Sequence, residues 1–142
     1  MHSRGDVSTM GTYAHARYDD VVAEVLDELG TQVEIARAAG LEDEQLAVDP
    51  GIGFAKTPEQ SLTLLGALPR LAAWGLPVLV GVSRKRVVGE ITGQREPSDR
   101  LSGTVGANVA ALSLGARIFR VHDVKDNRQA LDVAWGVLSH RS

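Results

Sequence analysis

The stretch that decides the fold is residues 77–85, which read Pro77-Val78-Leu79-Val80-Gly81-Val82-Ser83-Arg84-Lys85. The first six residues lack the alternation of polar and apolar side chains, which is typical of a parallel strand covered on both faces. A hydroxyl and two cationic side chains follow at once. In parallel α/β sheets the functional groups lie at the carboxyl ends of the strands. The stretch therefore predicts a buried strand that delivers Ser83, Arg84 and Lys85 to one rim of a sheet.

Two other segments have the same construction. The apolar run Leu46-Ala47-Val48 precedes Asp49-Pro50-Gly51-Ile52-Gly53-Phe54-Ala55-Lys56, and the strand pattern at 118–121 leads into Arg120-Val121-His122-Asp123. The carboxyl ends of successive parallel strands converge on one rim. We therefore expect these charged residues to meet in space although they are far apart in the sequence.

The segments between these strands carry helical patterns. Alternating helices and strands predict right-handed crossovers, hence an α/β fold with parallel strands and outer helices. The predicted helices are an amphipathic helix from Tyr18 to Ala36 with Gly40 as its stop, one that begins with the Thr57-Pro58-Glu59-Gln60 capping box and runs to Trp74, a turn at 85–89, an Ala- and Leu-rich helix that ends at Leu114, and a last helix over Asn127 to Leu138.

The composition limits the classes of function. A chain of 142 residues with 44% hydrophobic and 23% charged residues is expected to form one domain over 1–142. A net charge of -3 and six aromatic residues argue against nucleic acid as a partner. The absence of cysteine favours the cytoplasm, and no apolar run is long enough for a membrane span. The four histidines lack metal-ligand spacing, so no protein metal site is predicted.

The three motifs, in this order, resemble the second half of dihydropteroate synthase, the pterin-binding barrel enzyme of folate synthesis. This resemblance runs along the whole chain and implies the C-terminal half of a TIM (β/α)8 barrel, from the end of strand five through helix eight. Met1-His2 matches the tip of the fifth strand, which leads us to expect that Met1 is an internal residue of a longer protein. Ala55 stands where many members have glycine, a change we expect to be tolerated if φ is negative. Ser61 replaces a usual asparagine.

The resemblance also implies roles at the rim. Asp49 would hold the 2-amino group and the adjacent ring N–H of the pterin, Lys85 would hydrogen-bond the ring, and the Arg120–His122 pair would receive pyrophosphate. The residues alone leave other readings open. Asp49 in an Asp-Pro-Gly sequence could merely cap the next turn, and Arg120 could pair with Asp123 or Asp49. Placed two apart on one strand, Arg120 and His122 would face the same side.

Substrate-binding residues implied by the resemblance are Met1, Asp49, Gly53, Phe54, Gly81, Ser83, Arg84, Lys85, Arg120 and His122, of which Lys85, Arg120 and His122 are the expected catalytic residues. The implied partners are a pterin diphosphate, 4-aminobenzoate and a second subunit in a homodimer. Mg²⁺ is expected to arrive on the substrate diphosphate, with its protein ligand outside these residues. The reaction would join 4-aminobenzoate to the pterin methylene and release pyrophosphate.

Other functions stay in competition. A pterin-binding methyltransferase would share the barrel and an aspartate facing the pterin, and a half-barrel could also be a non-catalytic binding or dimerising module. A dinucleotide site is disfavoured because Lys56 stands where a third glycine would be, and a serine hydrolase is disfavoured because Lys85 replaces the second glycine of the Gly-x-Ser-x-Gly turn. The isolated 142 residues are expected to be nearly inactive, because half of the implied site is missing.

Overall fold

A computed structural model describes residues 1–140, in which helices alternate with short parallel strands. The helices and strands are α1 (Val21–Ala38), α2 (Pro58–Gly66), α3 (Leu68–Ala72), β1 (Val78–Val80), α4 (Arg86–Thr92), α5 (Leu101–Ser113), β2 (Ala116–Phe119) and α6 (Val124–Ser139), with 3-10 turns at Asp43–Gln45 and Pro97–Arg100.

The strands follow one another across the sheet in sequence order. Strands β1 and β2 pair in parallel, with Val80 opposite Phe119, and on its other side β1 receives a parallel bridge from Val48. Beyond that bridge, the N–H of His2 donates to the carbonyl oxygen of Asp49 at 2.9 Å. This order confirms the predicted parallel sheet and is that of half a TIM barrel, in which each strand lies beside the next one along the chain.

The first and third predicted strands differ in detail from the expectation. The 46–48 segment contributes one bridge, at Val48, rather than a paired strand. Strand β2 ends at Phe119, two residues before the predicted end. The N–H of Arg120 still donates to the carbonyl of Val80 at 3.0 Å, but the N–H of His122 donates to the Ser83 hydroxyl at 3.1 Å. The backbone ladder stops there because a side chain takes the next donor.

The helices differ from the prediction mainly in two places. The predicted helix from 57 to Trp74 is broken at Ala67 into α2 and α3, because Pro69 has no N–H to continue the helical bonding. Helix α6 begins at Val124 rather than Asn127. The backbone N–H and the side-chain amide of Asn127 both donate to the Asp123 carbonyl, at 3.2 and 2.9 Å, which closes an extra turn before the predicted start.

The core lies between the strands and the helices that cover them. It is formed by buried aliphatic side chains of α1, the sheet and α2–α3, and each fully buried one stabilises the fold by about 1.5–3 kcal/mol. They include Val25, Leu29, Val48, Leu64, Leu68, Leu71, Val78 and Val80. None of the helices within residues 1–140 is long and apolar enough to cross a membrane.

Candidate active site at the strand-end rim

Asp49 ends the first strand segment and begins a turn. Its Oδ1 accepts the N–H of Gly51 at 2.7 Å, so the carboxylate caps the turn as the Asp-Pro-Gly sequence allowed. Burial raises the pKa of Asp49, against the opposing effects of this hydrogen bond and of the nearby Lys85 and Lys56 ammonium groups. The turn therefore fixes one carboxylate oxygen and leaves the group with acceptor capacity for a ligand.

Lys85 reaches across the rim from the end of β1 into this turn. Its ammonium donates to the carbonyl of Ile52 and lies 4.2 Å from the centre of the Phe54 ring. Burial lowers the pKa of Lys85 to about 8, with Asp49 opposing the shift and Arg120 adding to it. The charges of Asp49 and Arg120 thus both act on the Lys85 ammonium, and the sheet order, with Val48 and β2 on either side of β1, confirms that the three strand ends lie side by side.

A second lysine holds the same turn from beneath. Lys56 is 1% exposed, and its ammonium donates to the carbonyls of Gly51 and Phe54 at 3.2 and 2.9 Å. It also lies 2.9 Å from Nδ1 of His2, whose Nε2 lies 3.0 Å from Oε2 of Glu28. Desolvation lowers the pKa of Lys56 to about 8 and that of His2 to about 4. Neutral oxygen and nitrogen acceptors therefore solvate this buried cation.

Sequence reasoning missed Lys56 as part of the site, because it used this residue only to reject a dinucleotide motif. The sequence did contain an indication, which is that a lysine directly follows a glycine-rich turn whose carbonyl groups need donors. The two glycines of this turn, Gly51 and Gly53, have a steric role. A Cβ at Gly51 would overlap the His2 carbonyl, and one at Gly53 would lie 3.2 Å from Cδ of Lys85. The glycines make room for the protein's own chain and lysine.

Ser83 links the end of β1 to the end of β2. Its hydroxyl accepts the His122 N–H and lies 2.9 Å from Nδ1 of the imidazole. A hydroxyl that donates to Nδ1 leaves the ring proton on Nε2, where it can be given to an anion. Arg120 and His122 are both exposed and both lie beyond the end of β2. The premise that both residues lie on one strand was therefore wrong, although both follow the end of β2.

Arg84 forms the ion pair that the sequence left open for Arg120. Its Nη2 and Nε lie 2.6 and 3.1 Å from Oδ1 and Oδ2 of Asp123, and this contact lowers the pKa of the carboxyl. Within residues 1–140, Arg120 has no carboxylate within ion-pair distance. The guanidinium of Arg120 is therefore available to an anion, whereas that of Arg84 is already engaged.

The remaining predicted residues lie around these groups. Met1 is 54% exposed beside the rim, and Gly81 is buried, with an added Cβ in ordinary contact with Arg120. Ala55 has a φ of +47°, so the condition under which we expected it to be tolerated is not met. Ser61 is buried and its Oγ accepts the Gly53 N–H at 3.2 Å, which ties α2 to the turn. The predicted capping box at the start of α2 is present.

A pocket of about 200 Å³ opens beside the two lysines. It is lined by Gly11, Tyr13, Gly53, Lys56, Pro58, Ser61, Lys85, Arg86 and Val87, a set with three cations and no carboxylate. Arg86 lies 4.7 Å from the centre of the Tyr13 ring. The pocket suits a small anion with an apolar body. Among residues 1–140, no group of three or more His, Asp or Glu side chains is arranged to hold a metal ion.

The rim and fold define a class of protein, and residues 1–122 match the family described as pterin binding enzyme. The chain belongs to this family. It is 45% identical over 134 residues to the dihydropteroate synthase of Synechocystis sp., covering 94% of this chain and 46% of that one.

Two solved dihydropteroate synthases have the same fold. That of Xanthomonas albilineans with 4-aminobenzoic acid is 43% identical with a TM-score of 0.85, covering 90% of this chain and 46% of that one. That of Thermus thermophilus in complex with 6HMPPP is 49% identical with a TM-score of 0.82, covering 88% and 49%. The chain spans about half the length of the curated relatives it matches.

Proposed function

We propose that the strand-end rim is the pterin and diphosphate site of a dihydropteroate synthase. The whole protein would join 4-aminobenzoate to 6-hydroxymethyl-7,8-dihydropterin diphosphate and release pyrophosphate. One observation carries the proposal: Lys85, at the end of β1, donates to the Ile52 carbonyl in the turn that Asp49 begins, and Arg120 directly follows the neighbouring parallel strand β2. The solved relatives with 4-aminobenzoic acid and with 6HMPPP support the choice of substrates.

Asp49 and Lys85 would hold the pterin ring. The turn fixes Oδ1 of Asp49 through the Gly51 N–H, and a carboxylate so oriented can accept two adjacent N–H groups in a bidentate manner. The pKa of Lys85, lowered to about 8 by burial, leaves most of the amine protonated at pH 7, so it can donate to a ring acceptor. Its present acceptor, the Ile52 carbonyl, would keep the ammonium aimed at the rim.

Arg120 and His122 would receive the leaving group. Breaking the C–O bond places negative charge on the departing pyrophosphate, and fixed donors that meet this charge lower the barrier. Arg120 has no carboxylate partner within residues 1–140, and Ser83 orients the imidazole of His122 with its Nε2 free of that bond. The chain's own contribution is therefore to hold the ring and to stabilise the departing anion.

The pocket beside the two lysines would take 4-aminobenzoate. Lys85 and Arg86 line it, and either cation can pair with the carboxylate, while Tyr13, Pro58 and Val87 offer apolar walls. The amine would then point toward the pterin methylene. Mg²⁺ would come with the substrate diphosphate and help to neutralise its charge, and we place no step on it. We further propose a cytoplasmic location, for which the cysteine-free sequence is the support.

A substitution at Asp49 tests the pterin role. Asp49→Asn keeps an oxygen that can accept the Gly51 N–H but loses the charge and one acceptor for the ring. NMR titration of the 142-residue chain measures binding of the pterin diphosphate. We expect the affinity to fall roughly tenfold or more, because charge-assisted hydrogen bonds are lost. Asp27→Asn, on the exposed face of α1, is the matched control. Equal binding by wild type and Asp49→Asn would refute this role.

The same titration separates the competing functions. A synthase half-site should bind the pterin diphosphate more tightly than a methyl-folate, whereas a methyltransferase would show the reverse order. We expect no measurable dihydropteroate formation by the 142 residues alone, since they span about half of the relatives. Steady turnover by this chain would contradict that expectation. A chain that binds neither pterin would reject the proposed function.

We propose that the protein forms a homodimer through the outer face of α5 and α6. These helices border an apolar groove of about 1080 Å³, and Val133 and Val137 along it are 69% and 62% exposed. Val133→Asp should convert a dimer to a monomer in sedimentation velocity, with unchanged helical circular dichroism. Val7→Asp, at an 89% exposed loop position, should leave the dimer intact. A monomeric wild type would refute this interface.

A further inference from the structure

The turn that carries Ser83 and Lys85 contains a residue in a conformation it disfavours. The N–H of Lys85 donates to the Val82 carbonyl at 3.1 Å, which closes a four-residue turn with Arg84 in its third position. Arg84 has a φ of +56°. Glycine and asparagine adopt this region readily, whereas a long side chain does so at a cost in free energy. Such a conformation persists only when surrounding contacts hold it.

Two side chains supply those contacts, one in the first turn of α5 and one immediately before that helix. The hydroxyl of Thr104, which is completely buried, accepts the Arg84 N–H at 3.0 Å. Nη1 of Arg100 donates to the Arg84 carbonyl at 2.9 Å. Both backbone polar groups of Arg84 are therefore bonded to side chains at the junction of the 97–100 turn and α5, and the Arg84 side chain is held separately by Asp123.

The Arg100 guanidinium is itself held in place by neighbouring carbonyls and by its packing against a glycine. Its Nε donates to the Gln94 carbonyl at 3.0 Å and its Nη2 donates to that of Arg95, so one guanidinium joins the 93–98 loop to the turn. The guanidinium packs against Gly89 of α4, where an added Cβ would lie 2.6–2.8 Å from its atoms. Gly89 is therefore explained by the space that the Arg100 guanidinium needs and not by the conformation of α4.

We infer that Thr104 and Arg100 are positioning residues for the rim. By holding Arg84 left-handed, they set the directions of its neighbours: Ser83 toward the His122 imidazole and Lys85 toward the Ile52 carbonyl. Both residues bond the backbone of Arg84 rather than the side chains of Lys85 or His122. The inference rests on the proposed function for its ligand, but the conformation of the turn can be measured without any ligand.

Two substitutions test the inference by independent routes. Thr104→Val removes the acceptor with little change in shape, and Gly89→Ala displaces the Arg100 guanidinium without changing any charge. In the 142-residue chain we expect both to abolish the NMR signature of positive φ at residue 84, a strong intraresidue HN–Hα Overhauser effect. We also expect pyrophosphate, used as the probe, to bind roughly tenfold more weakly, the order expected for one lost hydrogen bond.

Thr63→Val and Gly106→Ala are the matched controls, since Thr63 is exposed on α2 and an added Cβ at Gly106 meets nothing within 4 Å. Both should retain the wild-type signature and affinity. Placing Asn at position 84 should restore the left-handed turn in the Thr104→Val background, because asparagine needs less support there.

Retention of positive φ at residue 84 in Thr104→Val and Gly89→Ala would overturn the inference, whatever the ligand data show. Unchanged pyrophosphate binding with an altered turn would overturn its functional part. A wild-type chain that binds no pterin or pyrophosphate would count against the proposed function instead, and the φ measurement would still decide whether Thr104 and Arg100 hold the turn. If Thr104→Val fails to fold, Gly89→Ala provides the same test.

Discussion

Two turns on the rim have the same hydrogen-bonding frame but different means of support. The Phe54 N–H donates to the Gly51 carbonyl in the first turn, and the Lys85 N–H donates to the Val82 carbonyl in the second. The third position is glycine in the first, with Gly53 at φ +77°, and arginine in the second, with Arg84 at φ +56°. The first turn has its conformation built into its own residues, whereas the second is held by Thr104 of α5 and by Arg100 just before that helix.

The difference extends to how each turn meets its surroundings. Ammonium groups of Lys56 and Lys85 bind the carbonyls of the first turn, and the His2 carbonyl lies where a Cβ of Gly51 would be. That turn cannot tolerate added atoms. The second turn receives uncharged and guanidinium partners from a helix, so its shape depends on contacts that single substitutions can remove. We expect the first turn to govern stability and the second to govern the geometry of the site.

The largest expected effect is at Gly51. Gly51→Ala adds a Cβ that overlaps the His2 carbonyl at a φ of +69°, so we expect a loss of about 3 kcal/mol or more in the free energy of unfolding, measured in urea. Gly40→Ala is the matched control, because Gly40 has a φ of +92° but open space around its Cα. It should lose only about 1–2 kcal/mol from backbone strain. Equal losses would show that the steric contact with His2 contributes nothing.

Lys56→Met comes next and also carries a pH dependence. It leaves two buried carbonyls and the His2 ring without their donor, and we expect a loss of about 2 kcal/mol in the free energy of unfolding at pH 7. The pKa of Lys56 is lowered in the fold from 10.5 to about 8, so above pH 8 the folded chain releases a proton that the unfolded chain keeps. Wild type should therefore gain stability relative to Lys56→Met between pH 8 and 10.5.

The control for this change is Lys125→Met, which removes an exposed lysine of α6. It should keep the wild-type dependence on pH in chemical denaturation. A Lys56→Met chain whose stability rises with pH as steeply as that of wild type would show that Lys56 is not the buried group that titrates there.

The smallest expected effect is at the second turn. Arg84→Gly removes the strain of a left-handed arginine but also removes the ion pair with Asp123 and makes the unfolded chain more flexible. These contributions oppose one another, and we expect the free energy of unfolding to stay within about 1 kcal/mol of wild type. Urea unfolding measures it. A loss as large as that of Gly51→Ala would erase the contrast between the two turns.

The sequence predicted the strands and the rim because these depend on local patterns. Apolar runs followed by charge located the three strand ends, and the capping box located the start of α2. The prediction failed where a residue distant in the sequence determines the local conformation. The end of β2 depends on the Ser83 hydroxyl, and the left-handed Arg84 depends on Thr104 and Arg100. A sequence pattern carries no record of such partners.

The burial of Lys56 is another feature that depends on partners distant in the sequence. A lysine after a glycine-rich turn is usually exposed, and only the fold brings the His2 ring and two carbonyls around its ammonium. For Ala55, by contrast, the sequence analysis named the deciding quantity, the sign of φ. The observed φ of +47° is the sign that does not favour alanine.

The measurement that tests the account most directly is NMR of the lysine side chains, because the chain has only Lys56, Lys85 and Lys125. Their ε-carbon signals would be followed against pH with and without 6-hydroxymethyl-7,8-dihydropterin diphosphate. We predict that the ligand shifts the signal of Lys85 and raises its pKa above about 8, since the ligand brings negative charge to the rim, while Lys125 is unaffected. A saturating ligand that leaves Lys85 unchanged, or that moves Lys125 equally, would contradict the assignment of the rim as the pterin diphosphate site.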